Sequence, residues 1–225
     1  MLGLLVGITN LRLGAQETSD KLRLSGALQS DILIPEKYPT IGANTRDGYI
    51  LTNTYLELKA TSRDIESGAR LEYLKYPLPG FENDFKGGGV PYAYIKGRYK
   101  NAELTLGSFY EQFGSGFIFR SYEERSLGID NSLQGAHFSY RPLDGVAVKI
   151  ITGRQRKYWK HNNSWLTGGD VELNIDEWIK GLQKRQTYAM LGFSYINKYE
   201  KEDIIMTDPT HRLHLPRYVN AFDVR

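Results

Sequence analysis

From residue 21 onward, apolar and polar side chains alternate with a period of two. This is the spacing of a strand whose successive residues point to opposite faces. In 21–34, Leu22, Leu24, Gly26, Leu28, Ile32 and Ile34 fall on one face, with Lys21, Arg23, Ser25, Gln29 and Asp31 on the other. In 48–60, Ile50, Thr52, Thr54, Leu56 and Leu58 oppose Tyr49, Asn53, Tyr55, Glu57 and Lys59. The same rhythm marks 92–100, 102–110, 135–141, 146–157 and 187–197, and more weakly 69–76. A strand with one apolar and one polar face lies between an apolar medium and water. The pattern predicts an all-β fold of about eight or nine antiparallel strands.

The connections add a second regularity. Short polar turns are expected at 61–67, 100–101 and 142–145, and long segments at 35–47, 77–91, 111–133 and 159–186. Long and short alternate along the chain, as in an up-and-down outer-membrane β-barrel or the open N-terminal part of one. The segment 200–217 breaks the rule, being long where a short turn is due. A soluble β-sandwich has the same strand alternation but no reason to sort its loops by length. Within 159–186, Asn174 reads as an N-cap, with acids Asp176 and Glu177 in the first turn. Ile175, Trp178, Ile179 and Leu182 then share a helical face, so a short helix is expected near 175–185 as a packing element in a barrel mouth, and the alternation of Val171, Leu173 and Ile175 fits a strand running into it. Gly181 weakens that helix by about 1 kcal/mol.

Composition narrows the function classes. With 40% hydrophobic residues, 24% charged residues and a net charge of +3, the chain is not a disordered polyampholyte. A charge of +3 over 225 residues is no nucleic-acid footprint, despite a pI near 8.9. The absence of Cys removes disulfides, Cys-based zinc sites and thiol nucleophiles. Mean hydropathy is −0.46 and no apolar run of ~20 residues occurs, so a membrane role requires strands. The 16 Tyr suit the boundary between an apolar layer and water. Residues 1–15, with Leu2, Leu4, Leu5, Val6 and Ile8 and a small residue at Ala15, read as the remnant of a secretory signal peptide. The positively charged start is missing. The barrel is then expected over 16–225, exported to the outer membrane.

The densest polar stretch is 110–125. Glu111, Arg120, Glu123, Glu124 and Arg125 either line a polar channel on a loop folded into a lumen, or form an internal ion-pair network that shapes a barrel wall. Arg23, Asp31, Glu57, Lys59, Lys96, Arg98 and Lys149 fall on the polar face of their strands and would also face the lumen. Glu123 and Glu124 are adjacent on a strand, point to opposite faces and do not make a glycosidase pair. His211 and His214 have metal-ligand spacing only on a helix, and Pro209 and Pro216 flank them. Gly87-Gly88-Gly89 lacks the Lys-Ser/Thr of a phosphate loop and reads as a flexible turn. Residues 154–160, basic with aromatics, fit contact with nucleic acid and a strand end near lipopolysaccharide phosphates equally well, and the ordinary reading is a solvated, positively charged rim. No catalytic motif, metal site or cofactor site is expected, and the chain reads as no enzyme.

The stretches 104–116 and 120–131, with Ser25-Gly26-Ala27-Leu28-Gln29-Ser30-Asp31 and Val219-Asn220-Ala221-Phe222-Asp223-Val224-Arg225, resemble a domain-of-unknown-function family of Bacteroidota outer-membrane proteins. That resemblance implies a porin-like β-barrel and an outer-membrane location, with no activity attached. The family's members are longer and carry the Val219–Arg225 motif mid-chain, so a truncated barrel that stops inside a ninth strand is expected. The partners implied are outer-membrane lipid, lipopolysaccharide and other outer-membrane subunits. Two further readings stand beside the barrel. One is a secreted β-sandwich that binds glycans through Tyr92, Tyr94, Tyr158 and Trp159. The other is a subunit of an outer-membrane secretion or assembly complex. In a barrel, Tyr99, Tyr110, Tyr140 and Tyr195 would form the girdle at strand ends.

Overall fold

A computed structural model describes residues 21–34, 50–200, 204–208, 211–214 and 217–225. The signal-like segment 1–15 and the expected loop 35–47 lie outside these residues. In chain order the strands are β1 (Arg23–Leu33), β2 (Leu51–Thr61), β3 (Ile65–Tyr76), β4 (Gly87–Tyr99), β5 (Ala102–Phe109), β6 (Glu123–Glu124), β7 (Ile129–Asp130) and β8 (Leu133–Tyr140). They continue with β9 (Val146–Lys157), β10 (Lys160–His161), β11 (Trp165–Asn174), β12 (Met190–Tyr199), β13 (Ile204–Asp208), β14 (His211–His214) and β15 (Tyr218–Val224). Eleven of them form one antiparallel sheet in the order β1-β2-β3-β4-β5-β8-β9-β11-β12-β15, with β10 on β9. The pairs β6–β7 and β13–β14 stand apart. Among the described residues no pairing joins β1 to β15.

The fold is all-β, as the alternation requires, but the strand count is higher than expected. Besides the short β6, β7, β10, β13 and β14, the extra strand in the main sheet is β11, which occupies Trp165–Asn174 inside the segment read as a long connection. Two adjacent glycines, Gly168 and Gly169, and the acids Asp170 and Glu172 hid its alternation. Adding β11 moves 200–217 into the series of longer connections. The exception becomes 175–189, which holds a 3-10 turn (Ile175–Glu177) and a five-residue helix α1 (Lys180–Lys184). The Gly87-Gly88-Gly89 run is not a turn but the start of β4. The segment His211–His214 is strand and not helix, which removes the condition for a metal pair. No helix among the described residues is long and apolar enough to cross a membrane.

The chain divides into two compact units. The first takes the described residues of Met1–Ile95, with Glu124–Asp130 and Tyr158–Lys160. Its register sets Leu28 opposite Leu56, and Leu56 opposite Leu71, on one face; Glu57 lies opposite Arg70, and Tyr55 opposite Glu72, on the other. The apolar face is the exposed one, with Leu24, Leu28, Leu58, Leu71 and Tyr73 in the open, whereas Tyr55, Arg70 and Glu72 are buried. Leu74, Phe81 and Phe85 form a small core, with Tyr158 and Trp159 packed against it.

The second unit takes Lys96–Glu123, Asn131–Lys157 and the described residues of His161–Arg225. Here too the apolar face is open: Leu104, Leu106, Ile150, Leu191, Phe193 and Phe222 are exposed. Thr105, His137, Asp170 and Ser194 are buried on the opposite face. Its core lies on that polar face and needs the connection 110–122 to complete it. That connection doubles back through a Gln112–Arg120 bridge and a Phe113 N–H to Phe119 carbonyl bond of 3.1 Å. Gly114 (φ 49°) and Gly116 (φ 84°) supply the left-handed turns. Phe113 and Phe119 then bury themselves against Phe109, Leu133, Ile151, Leu166 and Ile196. Full burial of a Phe ring contributes roughly 2–3 kcal/mol, which fastens the loop to the sheet.

Candidate functional site

Register places the charged groups of the second unit in one row. Glu103 pairs across to Ser139, Ser139 to Lys149, Lys149 to Asp170, Asp170 to Ser194, and Ser194 to Asp223. All six share the inward face because cross-strand partners point the same way. At one end Glu103 accepts from Arg98 at 2.8 Å and meets Lys96 at 3.0 Å. At the other, Arg225 donates to Asp170 and Glu172, each at 2.8 Å, and to Asp223 at 3.0 Å. Ser194 donates to Asp170 at 2.5 Å.

The middle of the row is tied to the inward loop. Lys149 Nζ donates to Glu111 Oε1 at 2.9 Å, and His137 Nε2 lies 3.0 Å from Glu111 Oε2. The backbone N–H of Gln112 adds a bond of 2.8 Å to Oε1. Burial pushes the Glu111 carboxyl up, but these three donors outweigh it and hold it down at about 2. One row along the strands, Thr105, His137, Ile151, Gly168, Ile196 and Ala221 succeed one another. A Cβ at Gly168 would stand 2.5 Å from the Tyr195 carbonyl oxygen, 2.6 Å from Ile196 Cδ1 and 3.0 Å from the Phe113 ring, so the missing side chain lets both the neighbouring strand and that ring approach.

The first unit carries its own networks. Arg70 is held by Glu72 at 2.7 Å and by Asp130, and its guanidinium lies 5.0 Å from the Tyr92 ring centre. Arg125 donates to Gln29 at 2.8 Å and to Glu57, 4.6 Å from the centre of the Tyr55 ring. Lys59 meets Glu66 at 2.9 Å, and Tyr94 donates to Glu66 at 2.7 Å.

The residues read from sequence as lumen or network candidates therefore fall into several clusters. Glu111 and Lys149 meet. Lys96 and Arg98 meet on Glu103. Arg125 and Glu57 meet. Lys59 pairs with Glu66, and Asp31 accepts from Gln29 at 3.0 Å. Arg120 is exposed and covers the Tyr122 ring at 4.5 Å. Glu123 belongs to β6. Glu124 caps the turn Arg125–Leu127 through Ser126, whose hydroxyl donates at 2.6 Å, and Gly128 (φ 65°) ends the turn. Arg23 is exposed at the start of β1. Sequence reasoning missed Arg70, Glu72, Glu103, Asp170, Glu172 and His137 as network members. Strand parity held the signal for Arg70 and Glu72, since both sit on the face already given to Glu57.

An open recess of about 350 Å³ lies beside the Glu103 end of the row, lined by Arg98, Lys100, Glu103, Ser139 and Arg141. The four aromatics of the glycan reading do not form one exposed platform. Tyr158 packs edge-on against Phe85 at 5.0 Å, and Trp159 donates to the Phe85 carbonyl at 3.1 Å. Tyr92 and Tyr94 contact each other at 5.8 Å beside Arg70 and Glu66. Of the expected girdle, Tyr99 and Tyr140 end β4 and β8 and are exposed on the apolar side. Tyr110 lies one residue beyond β5. Tyr195 is mid-strand, tilted against Phe222 at 5.1 Å, because β15 pairs alongside it. Among the described residues no group of three or more His, Asp or Glu is placed to hold a metal ion.

A family model described as "Family of unknown function (DUF6029)" matches residues 1–225. No curated protein matches the chain.

Proposed function

Taking as premise that the chain belongs to this DUF6029 family, we propose that it is an outer-membrane β-barrel protein, a porin-like channel or structural wall component, exported through a signal peptide. One observation carries the reading: both units leave the apolar face of their strands exposed, while the buried polar and charged residues, Arg70 and Glu72 in the first and Asp170, His137 and Ser194 in the second, lie on the opposite face. A sheet in water does the reverse, because leaving a Leu or Phe face open forfeits roughly 25 cal/mol per Å² of apolar area. In a bilayer the exposed face meets lipid, and the charged face lines an interior. Edge-row aromatics support the same reading, with Trp165 opposite Tyr199 and Tyr199 opposite Tyr218 at one end of the strands.

The inward charges would act by electrostatic selection of what passes, with no covalent chemistry. The loop 110–122, held by Phe113 and by the Glu111–Lys149 pair, would narrow the interior. The test is expression with an export signal in a Gram-negative host, followed by membrane fractionation and conductance in planar bilayers. Recovery in the outer membrane with heat-dependent gel mobility supports the proposal. Quantitative recovery as a soluble protein without detergent overturns it.

A further inference from the structure

On the outward face of the second unit, among the described residues, Arg154 stands apart from the inner networks. Arg154 is exposed on β9, sharing the apolar face with Ile150 and Thr152. Its guanidinium lies 5.5 Å from the centre of the Trp165 ring. Trp165 is itself fixed, since its indole N–H donates to Thr152 Oγ1 at 2.8 Å and Thr152 meets Thr167 at 3.1 Å. Among the described residues no carboxylate pairs with Arg154. Of the other cations in the basic stretch, Arg156 is buried, whereas Lys157 and Lys160 are exposed.

The depth of this group follows from the strands. Trp165, Tyr199 and Tyr218 form the terminal outward row. The next row is polar, with Asn197 donating to Asn220 at 2.9 Å and the Tyr195 hydroxyl donating to Asn220 at 2.7 Å. Beyond it come Ile150, Phe193, Phe222 and Leu191, all exposed and apolar. From Trp165 to Leu173 the strand covers ~27 Å, which a tilt of ~40° reduces to ~21 Å along the membrane normal, with the aromatic and polar rows at its outer end. Arg154 thus stands at the level of lipid headgroups. A guanidinium over the face of an indole can still offer N–H donors to solvent, and its fork matches two phosphate oxygens.

We propose that Arg154, seated on Trp165, binds the phosphate of an anionic lipid headgroup on the outer surface of the sheet. This rests on the membrane reading above. The test uses the folded protein in detergent and in vesicles, with phosphatidylglycerol, phosphatidylcholine and inorganic phosphate as probes, read by native mass spectrometry. Wild type retains phosphatidylglycerol over phosphatidylcholine, and Arg154→Gln lowers that retention about tenfold, a loss of one bidentate contact. Arg154→Lys, which keeps the charge without the fork, falls between them. Equal retention by wild type and Arg154→Gln, or equal retention of the two lipids, overturns the proposal. Displacement of the lipid by millimolar inorganic phosphate overturns the lipid as the source of the anion. A protein that inserts into vesicles yet shows no effect of Arg154 sinks this inference alone; one that does not insert sinks the membrane reading with it.

Discussion

Lys149 and Glu111, 38 residues apart, meet at 2.9 Å on the inward face of the second unit. Lys149 is a strand residue fixed by register between Ser139 and Asp170. Glu111 arrives on a loop. Their contact is where the loop's position and the sheet's charge row become one arrangement, and it stands beside the apolar seat of Phe113. An ion pair and a buried ring therefore hold the same thirteen-residue connection, 110–122, from two sides.

Breaking that pair leaves a half-buried charge behind. Lys149→Met and Glu111→Gln are each expected to destabilise the folded protein by about 3 kcal/mol, with the double variant costing less than the sum. Urea unfolding in detergent, run as a double-mutant cycle, measures the coupling. A coupling energy near zero would show that the contact does not fasten the loop.

Acid should loosen the same site. The Glu111 carboxyl is held at about 2 against an ordinary 4.5, so its folded-state value is depressed. Its stabilising contribution is complete above about 4.5 and is lost as pH falls toward 2. The shift corresponds to roughly 3 kcal/mol. Glu111→Gln should flatten the fall in stability across that window relative to wild type. Parallel stability-against-pH curves for the two proteins would contradict the assignment.

Gly168 is expected to be intolerant of a side chain. An added Cβ would meet the Tyr195 backbone oxygen at 2.5 Å, Ile196 Cδ1 at 2.6 Å and the Phe113 ring at 3.0 Å. Gly168→Val should cost about 1–3 kcal/mol by overpacking and release the loop, while Phe113→Ala costs about 3–5 kcal/mol by emptying its seat. Both should speed limited proteolysis within 110–122. An unchanged cleavage rate in both variants would mean that the ring does not anchor the loop.

A charge on the apolar face separates a lipid-facing sheet from a water-facing one. Ile150 is 50% exposed and lies opposite Phe138. In a bilayer Ile150→Arg should cost about 2–4 kcal/mol, whereas at an exposed position in water the change stays within about 0.5 kcal/mol. Folding yield into vesicles across urea concentrations gives the answer. Wild-type-like folding of the variant would count against a lipid-facing surface.

Much of this architecture was legible before any coordinates. Period-2 alternation marks Leu24, Leu28, Leu58, Leu104 and Ile150 as one kind of face and Glu57, Lys59, Lys96, Arg98 and Lys149 as the other, because neighbouring residues on a strand point oppositely whatever surrounds them. The short turns at 100–101 and 142–145 were equally plain. β11 was legible only at its end, where Val171 and Leu173 alternate, since Gly168 and Gly169 carry no side chain and Gly168 is small where the Tyr195 carbonyl and the Phe113 ring crowd it. The helix near 175–185 shrank to α1 and a 3-10 turn, as Gly181 and a short apolar face would allow.

What sequence alone determined was the two-faced strand, for parity is a local property of the extended backbone. Which face holds the buried residues was decided by tertiary structure, and Arg70, Glu72 and Asp170 are buried on the charged one. So were the partners: Glu111 with Lys149 and His137, Arg125 with Gln29, Arg70 with Asp130. Those contacts depend on strand register and on where a long loop closes, and a charge in the sequence carries no record of the distant charge that will neutralise it.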